Sequence, residues 1–402
     1  MPQPDGTTVT VAKSIDRPQL CVTAVFAIHA LVFSSWVAHI PHVKSELRLS
    51  DGALGNALLG APLGALVATA LCIRLLPRWG SHILVPVTLA GYAASGPPMG
   101  LASSEPELFF ALTSVGFFLG GLDVAMNVQA AAVERVAARP IMSRFHGMRS
   151  LAVLLGSLVG AACVSAHVGL TAQLTVIGLF IIIIVRPIAG GLVREPAPTA
   201  RQKAARPQPF WRNPTVVILS AVAFASFLCE GSASDWSGDY LNRVVGAGPT
   251  VAALSYVPFT AVMAVTRLGA PRLYERVSIR WLLPSLALFA AAGLCVTLVT
   301  ANLVVTLLGF AALGAGVVLL VPAAMTAAYS PIDAGTAIAV VAATGWVGYL
   351  IGPPLIGQVA QWAGLSAALT TVPIMMTLVA TAIRFTNAFD AADAFPEAAA
   401  PH

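Results

Sequence analysis

Long apolar runs separated by short polar joints dominate the chain. Twelve of them reach the roughly 20 residues that an α-helix needs to cross a bilayer core of about 30 Å. They are residues 19–41, 52–73, 82–101, 106–131, 145–166, 169–191, 214–234, 248–268, 281–300, 302–327, 334–358 and 364–385. Most joints are short. The exception, 192–213, is rich in Pro, Ala and basic residues and divides the spans six and six. The pattern predicts an all-α membrane protein of twelve transmembrane helices. Its expected parts are a polar N-terminal tail (1–18), a first six-helix bundle (19–191), a linker (192–213), a second six-helix bundle (214–385) and a disordered tail (386–402). The first run is long enough to remain as a span instead of leaving as a cleaved signal.

Composition narrows the picture. Apolar residues make up 57% of the 402 positions and Asp, Glu, Lys and Arg only 10%, against about 25% charged in soluble chains. So few charges cannot cover a large globule with solvated groups. The 34 Gly and 28 Pro suit transmembrane helices, which tolerate both. A soluble enzyme, a disordered chain and a secreted disulfide scaffold are therefore excluded. The five cysteines, Cys21, Cys72, Cys163, Cys229 and Cys295, lie far apart with no CxxC pair and read as apolar thiols.

The net charge of +5 raises the question of nucleic acid, and its distribution answers it. With both termini placed in the cytoplasm, 19 of the 22 Lys and Arg fall on the inside and only Lys44, Arg48 and Arg243 outside. That bias is the positive-inside signature of a multi-pass protein of the cytoplasmic membrane, with basic residues beside an anionic leaflet. No basic face interleaved with aromatics is seen, so no nucleic-acid partner is expected. The expected partners are the bilayer, a small solute and protons.

The halves repeat weakly. Leu76 to His82 follows span two, and Tyr274 to Arg280 follows span eight 198 positions later. Two related halves suit a rocking transporter with one site near the midplane. Gly60/Gly64, Gly156/Gly160 and Gly348/Gly352 read as close-packing points between helices.

Acids inside spans are rare here, and an ionisable group there is costly enough to mark a cavity or a partner. Asp123 lies eleven residues before Glu134, about 16 Å along span four at 1.5 Å per residue. Gly116, Gly120, Asp123 and Asn127 recur at helical spacing on one face. The glycines let a neighbouring helix approach, and the acid and amide point into what lies between. Asp123 is either a carboxylate that loads and releases a proton or a structural acid held by Arg149 or His146. Glu230 lies well into span seven, with Ser226 and Ser234 on its face, and is either a second functional acid or an interfacial one. Gly231, Ser232 and Ser234 suggest a broken or loosely wound segment there. His29, in mid-span one with Phe33 and Trp36 on its face, could join proton transfer or bond a hydroxyl. Trp36, Trp236 and Trp346 offer aromatic faces for a ring-shaped solute and equally serve as interfacial anchors. His146, a further candidate for the substrate cavity, and Arg149 begin span five. No phosphate-binding loop, metal spacing or catalytic constellation is present, so no cofactor, metal or enzymatic activity is expected.

Several strings carry a resemblance. They are Ser35 to Pro41 (SWVAHIP), Gly121 to Gln129 (GLDVAMNVQ), Arg139 to His146 (RPIMSRFH) and Glu230 to Trp236 (EGSASDW). With the six-plus-six plan, they resemble the major facilitator superfamily, within it a bacterial branch of rhizopine-permease-like and YbjJ-like proteins near the fucose permeases. The resemblance implies a monomeric secondary transporter without a cofactor. In fucose-permease-like proteins an acid followed four residues later by Asn in span four is linked to proton coupling, which Asp123 and Asn127 match. An acid near the substrate in span seven is matched by Glu230. The superfamily loop after span two usually carries an acid and a basic pair. Here Pro77, Ser81 and His82 stand in those places, leaving Arg78 and Gly80 of the motif, with Glu275 and Arg276 as its second-half counterpart. These four are the candidate cytoplasmic gate. The expected activity is proton-coupled symport of a small polar solute such as a sugar or cyclitol. Proton-driven efflux and a non-transporting sensor are the alternatives. Span five holds Gly156 and Gly160 but lacks the proline of the antiporter motif, which favours uptake.

Overall fold

A computed structural model describes residues 7–137, 141–194, 213–328 and 334–393. Among these residues every regular element is helical. The helices run in order α1 (Thr7–Val37), α2 (Ile40–Glu46), α3 (Asp51–Leu58), α4 (Gly60–Trp79), α5 (Ser81–Ser95), α6 (Glu105–Ala137), α7 (Met142–Ser165), α8 (Leu170–Ala189) and α9 (Pro214–Arg243). They continue with α10 (Pro249–Ala253), α11 (Tyr256–Arg276), α12 (Ile279–Thr300), α13 (Leu303–Val317), α14 (Leu320–Ala327), α15 (Ala334–Ala363), α16 (Leu365–Leu369), α17 (Thr371–Phe385) and α18 (Asp390–Asp393).

Eleven helical stretches among the described residues are long and apolar enough to cross a bilayer. They correspond to all the expected spans except the third. There α5 stops at Ser95 and a 3₁₀ turn, Pro97–Leu101, takes over. The physical cause is Gly96-Pro97-Pro98: a proline ring cannot donate to the helical ladder and clashes with the preceding turn. Apolar side chains cover the outward faces, with Ile183 73%, Val265 70% and Val299 85% exposed. Such faces would drive aggregation in water and are solvated by acyl chains in a membrane. The cysteines are free thiols.

Span seven corrects one expectation. α9 runs unbroken from Pro214 to Arg243, where a broken or loosely wound segment was expected around Gly231, Ser232 and Ser234. The serine hydroxyls donate back to carbonyls of the preceding turn, Ser232 Oγ to Leu228 O at 2.7 Å and Ser234 Oγ to Gly231 O at 3.0 Å. They are satisfied inside the helix and need not open it.

The chain forms two compact units. The first comprises Met1–Ser34, Gly60–Gly156 and His167–Ala200; the second comprises Ser35–Leu59, Ser157–Ala166 and Arg201–His402. In the first unit α4 packs along α6 through glycine. A Cβ on Gly64 would lie 2.0 Å from Thr113 O, and one on Gly116 would lie 1.9 Å from Ala61 O. In the second unit a Cβ on Gly348 of α15 would meet Phe224 O of α9 at 2.3 Å, whereas Gly352 has only ordinary contact with Leu228 at 3.8 Å. The close approach there is made by one glycine of the pair. Gly156 lies against Leu31 and Gly160 against Ser35, so these glycines do bring backbones together.

The ends of the chain depart from the expected tails. α1 begins at Thr7, inside the segment expected to be a polar tail. Residues 386–393, expected to start the disordered tail, hold Phe389 at 2% exposure and α18. Residues 394–402 lie outside the described residues, as does most of the expected linker, 195–212.

Candidate functional site

In the first unit α1, α5, α6 and α7 bring polar side chains together around His29. Its Nε2 stands 3.9 Å from Asp123 Oδ1, too far for a hydrogen bond. The imidazole is buried, whereas the Asp123 side chain keeps 25% of its surface open. The Tyr92 ring lies 6.4 Å from the His29 ring, centroid to centroid, and Arg149 lies close enough to act on His29 electrostatically. His29 Nδ1 and Nε2, Tyr92 Oη and Arg149 Nε are all buried without a well-formed hydrogen bond. Buried polar atoms are nearly always partnered. Here the Tyr92 hydroxyl and Arg149 Nε have none, and the His29 ring has only a weak approach to the Leu119 backbone, beside a partly open carboxylate.

Asn127 shares the Asp123 face as expected, but its amide donates to the Asp123 backbone carbonyl at 2.8 Å. The carboxylate therefore meets the histidine across the helix gap, not the amide one turn away. Of the partners weighed for Asp123, His146 instead sets its ring edge-on to Phe26 at 5.3 Å. The His29–Asp123 pairing was not visible in the sequence, because nothing local reports which faces of spans one and four meet. Tyr92 carried no signal beyond being a polar tip in an apolar run.

The second unit holds another carboxylate. Glu230 of α9 hydrogen-bonds Tyr349 of α15. Phe227, Trp346 and Tyr349 form a mutually tilted triad with centroids 5.1–5.9 Å apart. Trp346 is 37% exposed, so the triad offers one open aromatic edge beside an acid. Trp36 is buried, and Trp236 is fully buried with Nε1 unpartnered and Lys44 Nζ 5.7 Å above its ring.

At the other end of the first unit, Gly80 takes φ +72 as the residue before α5, a left-handed conformation that disfavours any side chain. Arg78 is exposed at the end of α4, and Glu275 and Arg276 are exposed at the end of α11. In place of the missing charges, Ser81 donates to Gln129 of α6, and Gln129 donates to Val193 O at 3.1 Å. Glu134 accepts from Ile141 N at 2.8 Å and Met142 N at 2.6 Å, capping the start of α7. Glu134→Ala should therefore destabilise the protein by about 1–2 kcal/mol, the scale of a lost helix cap. Thermal unfolding in detergent should show a lower midpoint, with Glu134→Gln, which keeps one acceptor oxygen, lying between.

A further cluster escaped the sequence. Lys44 and Arg243 each pair with both Asp51 and Asp239; the Lys44–Asp239 distance is 2.6 Å and the Arg243–Asp239 distance 3.1 Å. In the sequence Lys44 and Arg243 stand out only as exceptions to the positive-inside pattern. One signal existed: Asp239 and Arg243 stand four apart, the spacing of a helical ion pair. The unexpected extension of α9 to Arg243 makes that spacing real.

A set of apolar spanning helices with titratable groups inside them suits a solute carrier. The comparisons agree. The model of the Major Facilitator Superfamily matches residues 21–310, and the chain belongs to that family of secondary transporters. An uncharacterised MFS-type transporter of Yersinia pestis is 30% identical over 373 residues, covering 91% of this chain and 95% of the relative. The membrane protein MosC of Rhizobium meliloti is 29% identical over 377 residues, covering 91% and 90%. Among solved structures, a bacterial homologue of the human lysosomal transporter Spinster superposes with a TM-score of 0.73 at 16% identity, covering 96% of this chain and 98% of the other. The nucleoside transporter NupG gives 0.70 at 13% identity, covering 92% and 100%. At those identities the likeness is one of fold. The protein is thus a multi-pass membrane transporter and not an enzyme.

Proposed function

We propose that the chain is a proton-coupled symporter that imports a small polar solute, working as a monomer by alternating access with both termini in the cytoplasm. The observation that carries this is the buried His29 imidazole 3.9 Å from the part-open carboxylate of Asp123, with the buried, unpartnered Tyr92 Oη and Arg149 Nε beside it. Asp123 is the proton-loading group. When charged it resists passage through an apolar constriction; once protonated it is neutral and passes at lower cost. His29, 3.9 Å away, needs only a small approach to exchange a proton with it. Asn127 holds the helix turn that presents the acid. Glu230 with Tyr349, and the open edge of Trp346, supply a hydrogen-bonding and stacking surface for the solute.

The test is proton movement in right-side-out vesicles on adding L-fucose, myo-inositol or uridine at zero membrane potential. A transported solute should make the external medium more alkaline. Acidification would establish antiport. A solute that stabilises the purified protein thermally yet moves along its gradient without any proton would remove proton coupling.

A further inference from the structure

The acid and the aromatic rings of the second unit stand on two helices that glycine brings together. Phe227, Glu230 and Gly231 lie at helical spacing on α9. Gly345, Trp346 and Tyr349 lie at matching spacing on α15. Each glycine makes room for a particular neighbour. A Cβ on Gly345 would lie 2.4 Å from the Phe227 ring, and one on Gly231 would lie 3.1 Å from the Tyr349 ring. One on Gly348 would meet Phe224 O. The helices therefore approach closely, and three rings gather at the seam with centroids 5.1–5.9 Å apart and planes inclined by 36–38°. Glu230 sits beside them and accepts a hydrogen bond from the Tyr349 hydroxyl.

We infer that this face binds a positively charged solute, a small organic molecule carrying a protonated amine. Charge points to it first. Among the described residues no Lys, Arg or His lies within ion-pairing distance of Glu230. Asp235, which accepts from Ser234 Oγ at 3.0 Å, adds a second acid near enough to act electrostatically on Tyr349. The cations at the C-terminal end of α9, Arg243 and its neighbour Lys44, are already neutralised by Asp51 and Asp239. The surroundings of the rings are negative and lack a counter-ion. An acid inside a span is retained where a partner or a guest compensates it. A neutral sugar offers only hydroxyls and leaves the charge in place. An ammonium group cancels it, and its N–H groups make charge-assisted hydrogen bonds to the carboxylate. The rings select in the same direction. An aromatic face carries negative potential and attracts a cation, tryptophan most strongly. Trp346 keeps 37% of its surface open, so the best of the three rings is available beside the acid. A cluster that served only to pack two helices would bury its largest ring and would have no use for a carboxylate. The solute so defined departs from the neutral sugar or cyclitol that the sequence suggested.

The inference rests on the reading of this face as the solute surface, and its test is binding by the full chain in lipid nanodiscs at neutral pH. Titration calorimetry compares two matched pairs, aminocyclohexanol against cyclohexanediol and benzylamine against benzyl alcohol. The amine of at least one pair should bind about tenfold more tightly than its neutral partner. Glu230→Gln should weaken that amine about thirtyfold and leave the alcohol unchanged. Trp346→Ala should weaken it about fivefold, and Trp346→Phe, which keeps a ring face, by less. Tyr349→Phe keeps the ring and frees the carboxylate from its hydroxyl, so the amine should bind at least as tightly; a merely structural tyrosine would instead lose affinity. Failure of both amines to bind, equal binding of the neutral partners, or an amine preference that survives Glu230→Gln would overturn the inference. Proton movement separates it from the symport reading. Alkalinisation driven by a neutral solute, with no amine bound, would strike the cation and keep symport. Amine binding with the expected losses but without proton movement would strike symport and keep the cation.

Discussion

Replacing Asp123 by Asn should abolish uphill accumulation while leaving solute exchange intact. The amide is neutral and close in size to the protonated acid, so it stands in permanently for the loaded state. Exchange across the membrane uses only that state and should continue. Net uptake against a gradient requires the proton to leave, and an amide cannot release it. A gradient of one pH unit is worth about 1.4 kcal/mol per proton, which allows about tenfold accumulation at one-to-one coupling. In the Asn variant the ratio should fall to unity. In this proposal the load falls to the carboxylate and not to its neighbour for a geometric reason. The Asn127 amide is already committed to the Asp123 carbonyl at 2.8 Å, and the carboxylate is a quarter open with His29 3.9 Å away. Vesicle uptake with and without an imposed gradient, alongside counterflow, measures both arms. Gradient-driven accumulation persisting in Asp123→Asn would place the proton on another group.

Gly116→Val should cost the protein its fold, not merely its transport. A Cβ at Gly116 would lie 1.9 Å from Ala61 O and 2.6 Å from Ala61 C and Cα. These are backbone atoms, so no rotamer can move them away; α4 must retreat from α6. That separation also strips Gly60, Gly64 and Gly120 of their contacts, because the four glycines share one seam. The loss should exceed about 3 kcal/mol, the upper end of ordinary overpacking. Denaturant titration in mixed micelles and the yield of monodisperse protein would report it. Gly269→Ala is the control: nothing lies within 4 Å of its Cβ position in α11, and the change should be neutral or stabilising by up to about 1 kcal/mol. A Gly116→Val protein as stable as the parent would mean that α4 and α6 do not meet along this seam.

Much of the architecture was legible because a bilayer imposes one-dimensional rules. Eleven of the twelve expected spans are present as long apolar helices, since every backbone polar group in hydrocarbon must be satisfied within its own segment. Departures arose where local chemistry had more than one outlet. Ser232 and Ser234 suggested an unwound α9, yet their hydroxyls found acceptors one turn back. Gly96-Pro97-Pro98 lay inside a hydropathy run and still ended α5. The face shared by Gly116, Gly120, Asp123 and Asn127 follows from helical period alone, and the glycines do meet a neighbouring helix.

By itself the sequence determined the class, a helical membrane transporter, and named Asp123, Glu230 and His29 as polar groups inside its spans. Hydropathy and the placement of Lys and Arg act locally, segment by segment, so no tertiary contact was needed to read them. Only the tertiary structure decided who faces whom. It set His29 against Asp123, Tyr349 against Glu230, and Lys44 against an aspartate 195 positions away. Those pairings depend on helix rotation and crossing, which are set by side-chain packing between segments remote in the chain.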